Sequence, residues 1–520
     1  MKKQLLVMAS LLPLAVMSQI NQIEDINPLG DSSPSEFFVD SNHTLFFQAT
    51  NGTDGKELFV YNGTSTTLID ISTADPGDNS SPARFIEFNG KVYFKASEDA
   101  TKAELYETDG TAANTNLVAD LNPGTGNGNP DHFFVYNNEL YFTVLDGGST
   151  QVWAYNEGNP VKITNNNGGS FSSASYPHVA STGVFMRLNN GNGNELGFFN
   201  GTGDAIEILD IRPGSSAGFL ASSDLENMEL LGDKLFFEAD SSGSDDELWV
   251  SDGTAVGTFQ VANTNPSGSG DPDYLEVHQG EMFFASEDAD GYQLWKSNGT
   301  VTGTVLVSDI FPGGNGDITN LFSDGTTLYF SATNGTDGVE LWKYDGTTSS
   351  MVKDINTTGD SDPDNFTAFD GAVYFSADDG TGTKLWITDG TNAGTNSIAS
   401  YFTSSADPID VDDILVRDNE LIFSGETTNG NELFRFNPST LFVENLKTET
   451  INIYPNPTSN YIMVPQSMVD YNYTIHDISG KQVYQGAISS EKIDLNLNSG
   501  MYLLNITTDL NNITRKIIVK

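Results

Sequence analysis

The sequence predicts an all-β protein, a β-propeller of about eight or nine four-stranded blades followed by a small C-terminal β-sandwich. Three observations carry that expectation. A motif of the form Glu-Leu-aromatic-x-x-Asp/Asn-Gly-Thr opens nine times, at Glu57, Glu104, Gln151, Glu195, Glu247, Gln293, Glu340, Lys384 and Glu432, with intervals of 44 to 52 residues. Such spacing is near the ~40–50 residues of a four-stranded blade. Strand-like segments rich in β-branched and aromatic residues flank every copy, separated by turn residues. The period and the negative charge then stop together near residue 446.

At the N terminus, residues 1–18 read as a signal peptide: Lys2 and Lys3 precede an apolar run from Leu5 to Met17. That run is shorter than the ~20 residues of a membrane span, and no later segment approaches that length, so no transmembrane anchor is expected. Cysteine is absent, which removes disulfides, thiol catalysis and thiolate metal sites. Acidic residues number 71 against 23 basic ones, for a formal charge of −48. A field of that sign repels nucleic acid and anionic lipid and keeps an extracellular surface soluble.

The repeat region, 19–446, is read blade by blade. An apolar triplet such as Val92-Tyr93-Phe94, Leu235-Phe236-Phe237 or Leu328-Tyr329-Phe330 precedes each motif, and its unbroken apolarity suits a strand buried on both faces. The motif forms the next strand and ends at a turn such as Asp109-Gly110 or Asp252-Gly253. A third strand, Leu117 to Leu121 in one copy, breaks at Pro123-Gly124, and a weaker fourth follows, as in Phe85 to Phe88 or Phe366 to Phe369. The chain enters mid-repeat, at Ile23 to Ile26 and Phe37 to Val39, and leaves with Leu421 to Phe423, Glu432 to Phe434 and a blurred strand at Leu441 to Val443. These halves complement each other, which predicts one closed ring with the strands near Ile23 and Phe37 paired to those near Leu421 and Leu433.

The segments Glu247 to Thr254 and Lys384 to Thr391 resemble the bacterial ELWxxDGT repeat family over about residues 20 to 446. That resemblance implies an extracellular, propeller-like protein and says little about a ligand. Gln151-Val152-Trp153 lacks the Asp-Gly-Thr, and Glu195-Leu196-Gly197 lacks the aromatic, so two blades depart from the pattern.

From 449 to 520 the repeat is gone, and six acidic residues nearly balance five basic ones. Short strands at Tyr473 to Asp477, Lys481 to Tyr484 and Met501 to Ile506 fit a small sandwich. The segment resembles the type A C-terminal sorting domain of the type IX secretion system, at Tyr454 to Thr458, Gly480-Lys481, Leu497 to Leu503 and Lys516 to Lys520. The resemblance implies export through the periplasm to the outer surface of a Gram-negative bacterium, with the secretion machinery as partner.

For chemistry, the five histidines, His43, His132, His178, His278 and His476, are scattered and show no zinc-type spacing. No residue is assigned to catalysis or to a cofactor. Trp153, Trp249, Trp295, Trp342 and Trp386 hold one fixed place in the motif and read as packing residues rather than a sugar platform. The acidic loops Glu287 to Gly291 and Asp378 to Gly380 make calcium the one ion suggested, without the spacing that would name its ligands; polar turns are the preferred reading of both. The expectation is a secreted or cell-surface binding or adhesion protein without catalysis, its ligand a glycan or protein, with an extracellular polysaccharide hydrolase or lyase as the alternative.

Overall fold

Each apolar triplet becomes the second strand of a four-stranded antiparallel sheet, and each motif becomes the third. In the computed structural model the described residues run from 20 to 438 and 454 to 520, less 73–76, 100, 124–125, 164–171, 190–192, 202–205, 213–217, 219–226, 242–244, 399–407 and 429, and, in the tail, 455–456, 459, 470, 478–480 and 508–511. The leader at 1–18 and the strand read at Leu441 to Val443 lie outside them. The chain divides into two units, Met1–Pro438 and Ser439–Lys520.

The first unit holds nine four-stranded sheets. The first blade is Ser35–Val39, Leu45–Thr50, Lys56–Tyr61 and Thr66–Ile69, each strand paired antiparallel to the next. Seven more repeat that order, beginning at Ala83, Asp131, Ser172, Met228, Asp273, Thr319 and Asp364. The two blades whose motif departs from the pattern are complete four-stranded sheets as well. In the second of them a Cβ on Gly197 would stand 2.2 Å from Leu188 Cδ1, so Leu188 occupies the space that an aromatic side chain takes elsewhere.

Strand order differs from the sequence reading in one respect. The weak segment at Phe85 to Phe88 opens a blade instead of closing one: it belongs to Ala83–Phe88, which pairs with the triplet strand Lys91–Ser97 across Asn89-Gly90. Both turn residues have positive φ, 49° and 73°, as a tight hairpin requires. The segment is therefore tied to the strand after it, and the long loop lies before it.

The same shift corrects the closure. The ninth blade is Ile409–Arg417, Glu420–Thr427 and Gly430–Phe436, completed by Asn21–Glu24 from the N terminus. Asn21 lies opposite Arg435 and Gln22 opposite Phe434. The strand of Phe37 stays in the first blade, with Phe38 opposite Phe46, so a single N-terminal strand makes the crossing. Arg417 seals the seam. Its Nε donates to the His43 carbonyl at 2.7 Å, its Nη1 to Glu420 at 2.8 Å, and its guanidinium lies 4.9 Å over the Tyr61 ring.

Alternation along the triplet strand builds the core between blades. Phe46 packs with Leu58 and Val60 against Val92, Phe94 and Tyr106 of the second blade, while Leu45 and Phe47 face Ile422 and Leu433 of the ninth. The first strand of each blade adjoins the first strand of the next, and that of the ninth adjoins that of the first. These nine strands form the inner wall of a closed ring.

The second unit pairs the sheet of Gln482–Ala487, Asn472–Asp477, Gly500–Thr507 and Asn512–Val519 with the short pair Tyr461–Met463 and Lys492–Asp494. Ile462, Ile475, Ile493, Leu504 and Ile517 share one core between them. No helix among the described residues is long and apolar enough to cross a membrane.

Candidate ligand site on the inner strands

The most repeated residues hold the fold. The motif glutamates are buried and accept backbone N–H groups from the loop leading to the next blade. Glu57 takes Ile71 N and Ser80 N, both at 2.9 Å; Glu104 takes Leu121 N at 2.7 Å and Gly128 N at 3.0 Å; Glu195 takes Ile211 N and Gly218 N. Burial raises the carboxyl pKa of each, to about 7 in Glu195, Glu247 and Glu432. Raised carboxyls in a cleft mark acid–base sites, but Glu57, Glu104 and Glu195 have both oxygens bonded to the loop backbone, and Glu247 and Glu432 each have one so bonded and the other buried without a partner.

Asp-Gly-Thr is likewise a turn. Asp389 Oδ1 accepts Thr391 N and Oγ1 at 2.9 and 2.6 Å, and Thr388 and Thr395 hydroxyls meet at 2.7 Å. The tryptophans pack between blades, Trp342 and Trp386 being buried and Trp386 Nε1 donating to Ala377 O at 3.1 Å.

Variation is concentrated on the inner wall. In eight blades the first strand bulges one residue after a ladder pair, the first pair in six blades and the second in the fourth and ninth, whose strands bulge twice, and the bulged residue adopts a left-handed conformation without being glycine. Going round, these are Glu36, Arg84, His132 and Tyr176, then Tyr274, Asn320, Asn365 and Asp413, with φ between 50° and 60°. Such backbone costs about 1–3 kcal/mol per residue. A preceding aspartate offsets part of it, Asp131 Oδ1 accepting His132 N and Asp273 Oδ1 accepting Tyr274 N, both at 2.8 Å. The backbone is constant and the side chains differ.

These side chains touch their neighbours around the ring. Arg84 N donates to Glu36 Oε2 at 3.2 Å, Arg84 Nε pairs with Asp131 Oδ1 at 3.1 Å, and His132 meets the Tyr176 ring edge-on at 5.1 Å. Between the second and fourth blades a pocket of ≈ 350 Å³ opens, lined by Arg84, Phe85, Asp131, His132, Phe133 and Tyr176. Behind it, Arg187 lies 5.9 Å over the Tyr176 ring and donates from Nε to Ser175 Oγ at 2.9 Å. Lys95 takes the equivalent place in the second blade, opposite Ala83 as Arg187 is opposite Ser175. Burial, with Arg84, Arg187 and Lys95 adding to it, pushes His132 below the ordinary histidine value against the pull of Asp131. It is neutral at pH 7.

Elsewhere the wall is acidic, with Asp273, Asp364, Asp412 and Asp413 on its strands. Glu238, Asp246 and Asp271 bring one carboxylate oxygen each within 4.8 Å of one another, an oxygen set of the type hard cations take. Sequence reading missed that trio because its members come from three separated segments. The acidic loops it singled out are self-bonded turns: Asp288 Oδ1 accepts Asp290 N at 2.8 Å, Asp378 Oδ1 accepts Gly380 N at 2.7 Å, and Asp379 pairs with Lys384 at 2.8 Å. Of the histidines, His132 alone lines the pocket; His278 is buried, its Nδ1 2.8 Å from Ser323 Oγ. The signal for the wall was weak, since a lone polar residue in the least regular strand carries no pattern.

Residues 452–520 match the family of secretion system C-terminal sorting domains. The tail is a type IX sorting domain. The chain is thus a secreted or cell-surface β-propeller protein that carries its sorting domain at the C terminus. No curated protein matches it. Among solved structures it is similar to PorZ, an essential surface component of the type IX secretion system of Porphyromonas gingivalis, at 11% identity over 96% of this chain and 94% of that one, with a TM-score of 0.24. A puromycin hydrolase aligns at 12% identity over 68% of this chain and 58% of its own, with a TM-score of 0.35. The β-propeller domain of the Trilobed protease of Pyrococcus furiosus aligns at 12% identity over 68% and 94%, with a TM-score of 0.34. None is close enough to bear on what this chain does.

Proposed function

We propose that the mature chain is a non-catalytic binding or adhesion protein of the cell surface or its surroundings, delivered by its sorting domain, with the inner wall of the ring as its ligand face. The leader is 1–18, the binding module 19–446, built of ELWxxDGT-type repeats, and the sorting domain 449–520. The observation that carries this reading is the inner bulge: eight blades hold the same strained backbone and present eight positions occupied by Glu, Arg, His, Tyr, Asn or Asp. A purely structural bulge gains nothing from such variety, whereas a recognition surface is made by it.

The raised carboxyls of the motif are hydrogen-bonded to backbone in six blades, which weighs against their serving as the acid and base of a hydrolase or lyase. The test is a panel of extracellular polysaccharides and proteins presented to the mature chain, scored for retention and cleavage. Retention without cleavage is expected. Turnover of any polysaccharide would replace this reading with the enzymatic one.

A further inference from the structure

The pocket between the second and fourth blades concentrates what the rest of the chain lacks. With 23 basic residues against 71 acidic ones, cations are scarce, yet Arg84 lines this pocket, Arg187 packs over its Tyr176, and Lys95 stands opposite Ala83, the residue before Arg84. They occupy matched places in the wall, Arg84 at a bulge, Lys95 and Arg187 on the second strands opposite Ala83 and Ser175. The corresponding second-strand residues of other blades are neutral at Gln48, Thr143, Ala285, Ser331, Ser376 and Ser424. Two acids stand nearby, Asp131 paired with Arg84 and Glu36 accepting its N–H, so a positive excess is left. Phe85, Phe133 and Tyr176 supply aromatic wall. Phe85 is held by Phe94 at 5.3 Å and Phe133 by Phe142 at 5.5 Å, and Tyr176 is held between His132 and Arg187.

We propose that this pocket binds an anionic sugar, a saccharide ring carrying carboxylate or sulfate, with Arg84 meeting the anion, Lys95 and Arg187 adding positive charge from the second strands, and the aromatic side chains meeting the ring. This rests on the binding reading above and names its ligand class. Guanidinium groups take carboxylate and sulfate oxygens in two-point contact, and aromatic surfaces cover the apolar side of a sugar. The pocket volume lies within the range of small-ligand sites. A net charge of −48 disfavours long polyanions at a distance, but beyond a Debye length of about 8 Å at physiological salt that field is screened, and the local cations decide.

The experiment is titration calorimetry of the mature chain with oligogalacturonate as the carboxylate arm, a sulfated galactan oligosaccharide as the sulfate arm, neutral dextran oligomers and poly-glutamate. Binding to one or both anionic sugars is expected, with neither dextran nor poly-glutamate bound. Arg84→Gln should weaken it roughly tenfold, about one charge-assisted hydrogen bond, and Arg187→Gln by a smaller but measurable factor, while Lys296→Gln, in the sixth blade, leaves it unchanged. Arg84 is more than half exposed, so its variant should keep the parent melting midpoint. Poly-glutamate binding equally well, or sugar binding that survives both arginine variants, would overturn the proposal. Dextran binding lost in Tyr176→Ala would also overturn the anionic class yet leave the inner wall as the ligand face; binding of none of the four probes overturns the proposal, and an empty result in the wider panel would take the binding reading with it.

Discussion

A buried glutamate in the motif strand is the residue on which each blade turns. Its oxygens fasten the loop that carries the chain to the next blade, and in the sixth blade Gln293 does the same work, accepting Ile310 N at 3.0 Å and donating to Gly314 O at 3.1 Å. The charge is therefore not what the site needs. Because burial raises the folded pKa of Glu195, Glu247 and Glu432 to about 7 from an ordinary 4.5, the folded chain binds more protons than the unfolded one between those values. Stability from these groups is complete below about pH 4.5 and is lost as pH rises through about 7. Glu247→Gln, with Gly268 placed as Gly314 is, should raise the melting midpoint at pH 8, by about 1–2 kcal/mol of stability, and leave it unchanged at pH 5. Scanning calorimetry at both values checks this. The sequence marked Glu247 as repeat consensus but not as buried, since a carboxylate in a strand reads as a solvent-facing residue until the loop that bonds it is placed.

At the level of the element, turns and strand ends decide what the repeat tolerates. In the Asp-Gly-Thr turn of the eighth blade a Cβ on Gly394 would fall 2.0 Å from Asp389 Oδ1, whereas the second blade has Asn114 at that place, its Nδ2 donating to Asp109 Oδ2 at 2.6 Å. Gly394→Ala should therefore destabilise by about 1–3 kcal/mol, and Gly394→Asn by clearly less, measured by denaturant unfolding. The closing strand Asn21–Glu24 covers the edge of Gly430–Phe436. Removing residues 20–26 bares that edge, and the shortened chain is expected to melt earlier and to self-associate with concentration in analytical ultracentrifugation. Triplets and motif strands were legible in the sequence because two-sided burial leaves continuous apolar runs. The first strand was assigned to the wrong end of its blade because half-buried residues around a bulge show neither alternation nor a run, and only the Asn89-Gly90 type of turn fixes its partner.

For the whole molecule, the ring and the tail were separable in the sequence by period and charge, and the structure divides the chain at Pro438–Ser439. A chain ending at residue 438 retains all nine sheets and should melt within about 2 °C of the full mature chain, by circular dichroism; a large drop would mean the ring depends on the tail. The closing stretch Lys516–Lys520 is more than a recognition tag, since Ile517 and Val519 are buried in the tail's own core, so its removal would unfold the sorting domain along with any signal it carries. What the sequence left open, the inner wall and its pocket, required neighbouring blades to be set side by side, because Arg84, His132 and Tyr176 come together only across three blades. Closure is the central claim, and the absence of cysteine gives it a clean test. Asn21 and Arg435 stand directly opposite in an antiparallel pair, a separation a disulfide can span. Oxidation of the double variant Asn21→Cys with Arg435→Cys should give an intramolecular disulfide, seen as a faster-migrating monomer that reverts on reduction and is absent from either single variant. Free thiols in the oxidised monomer, or disulfides only between chains, would contradict a ring closed by its N-terminal strand.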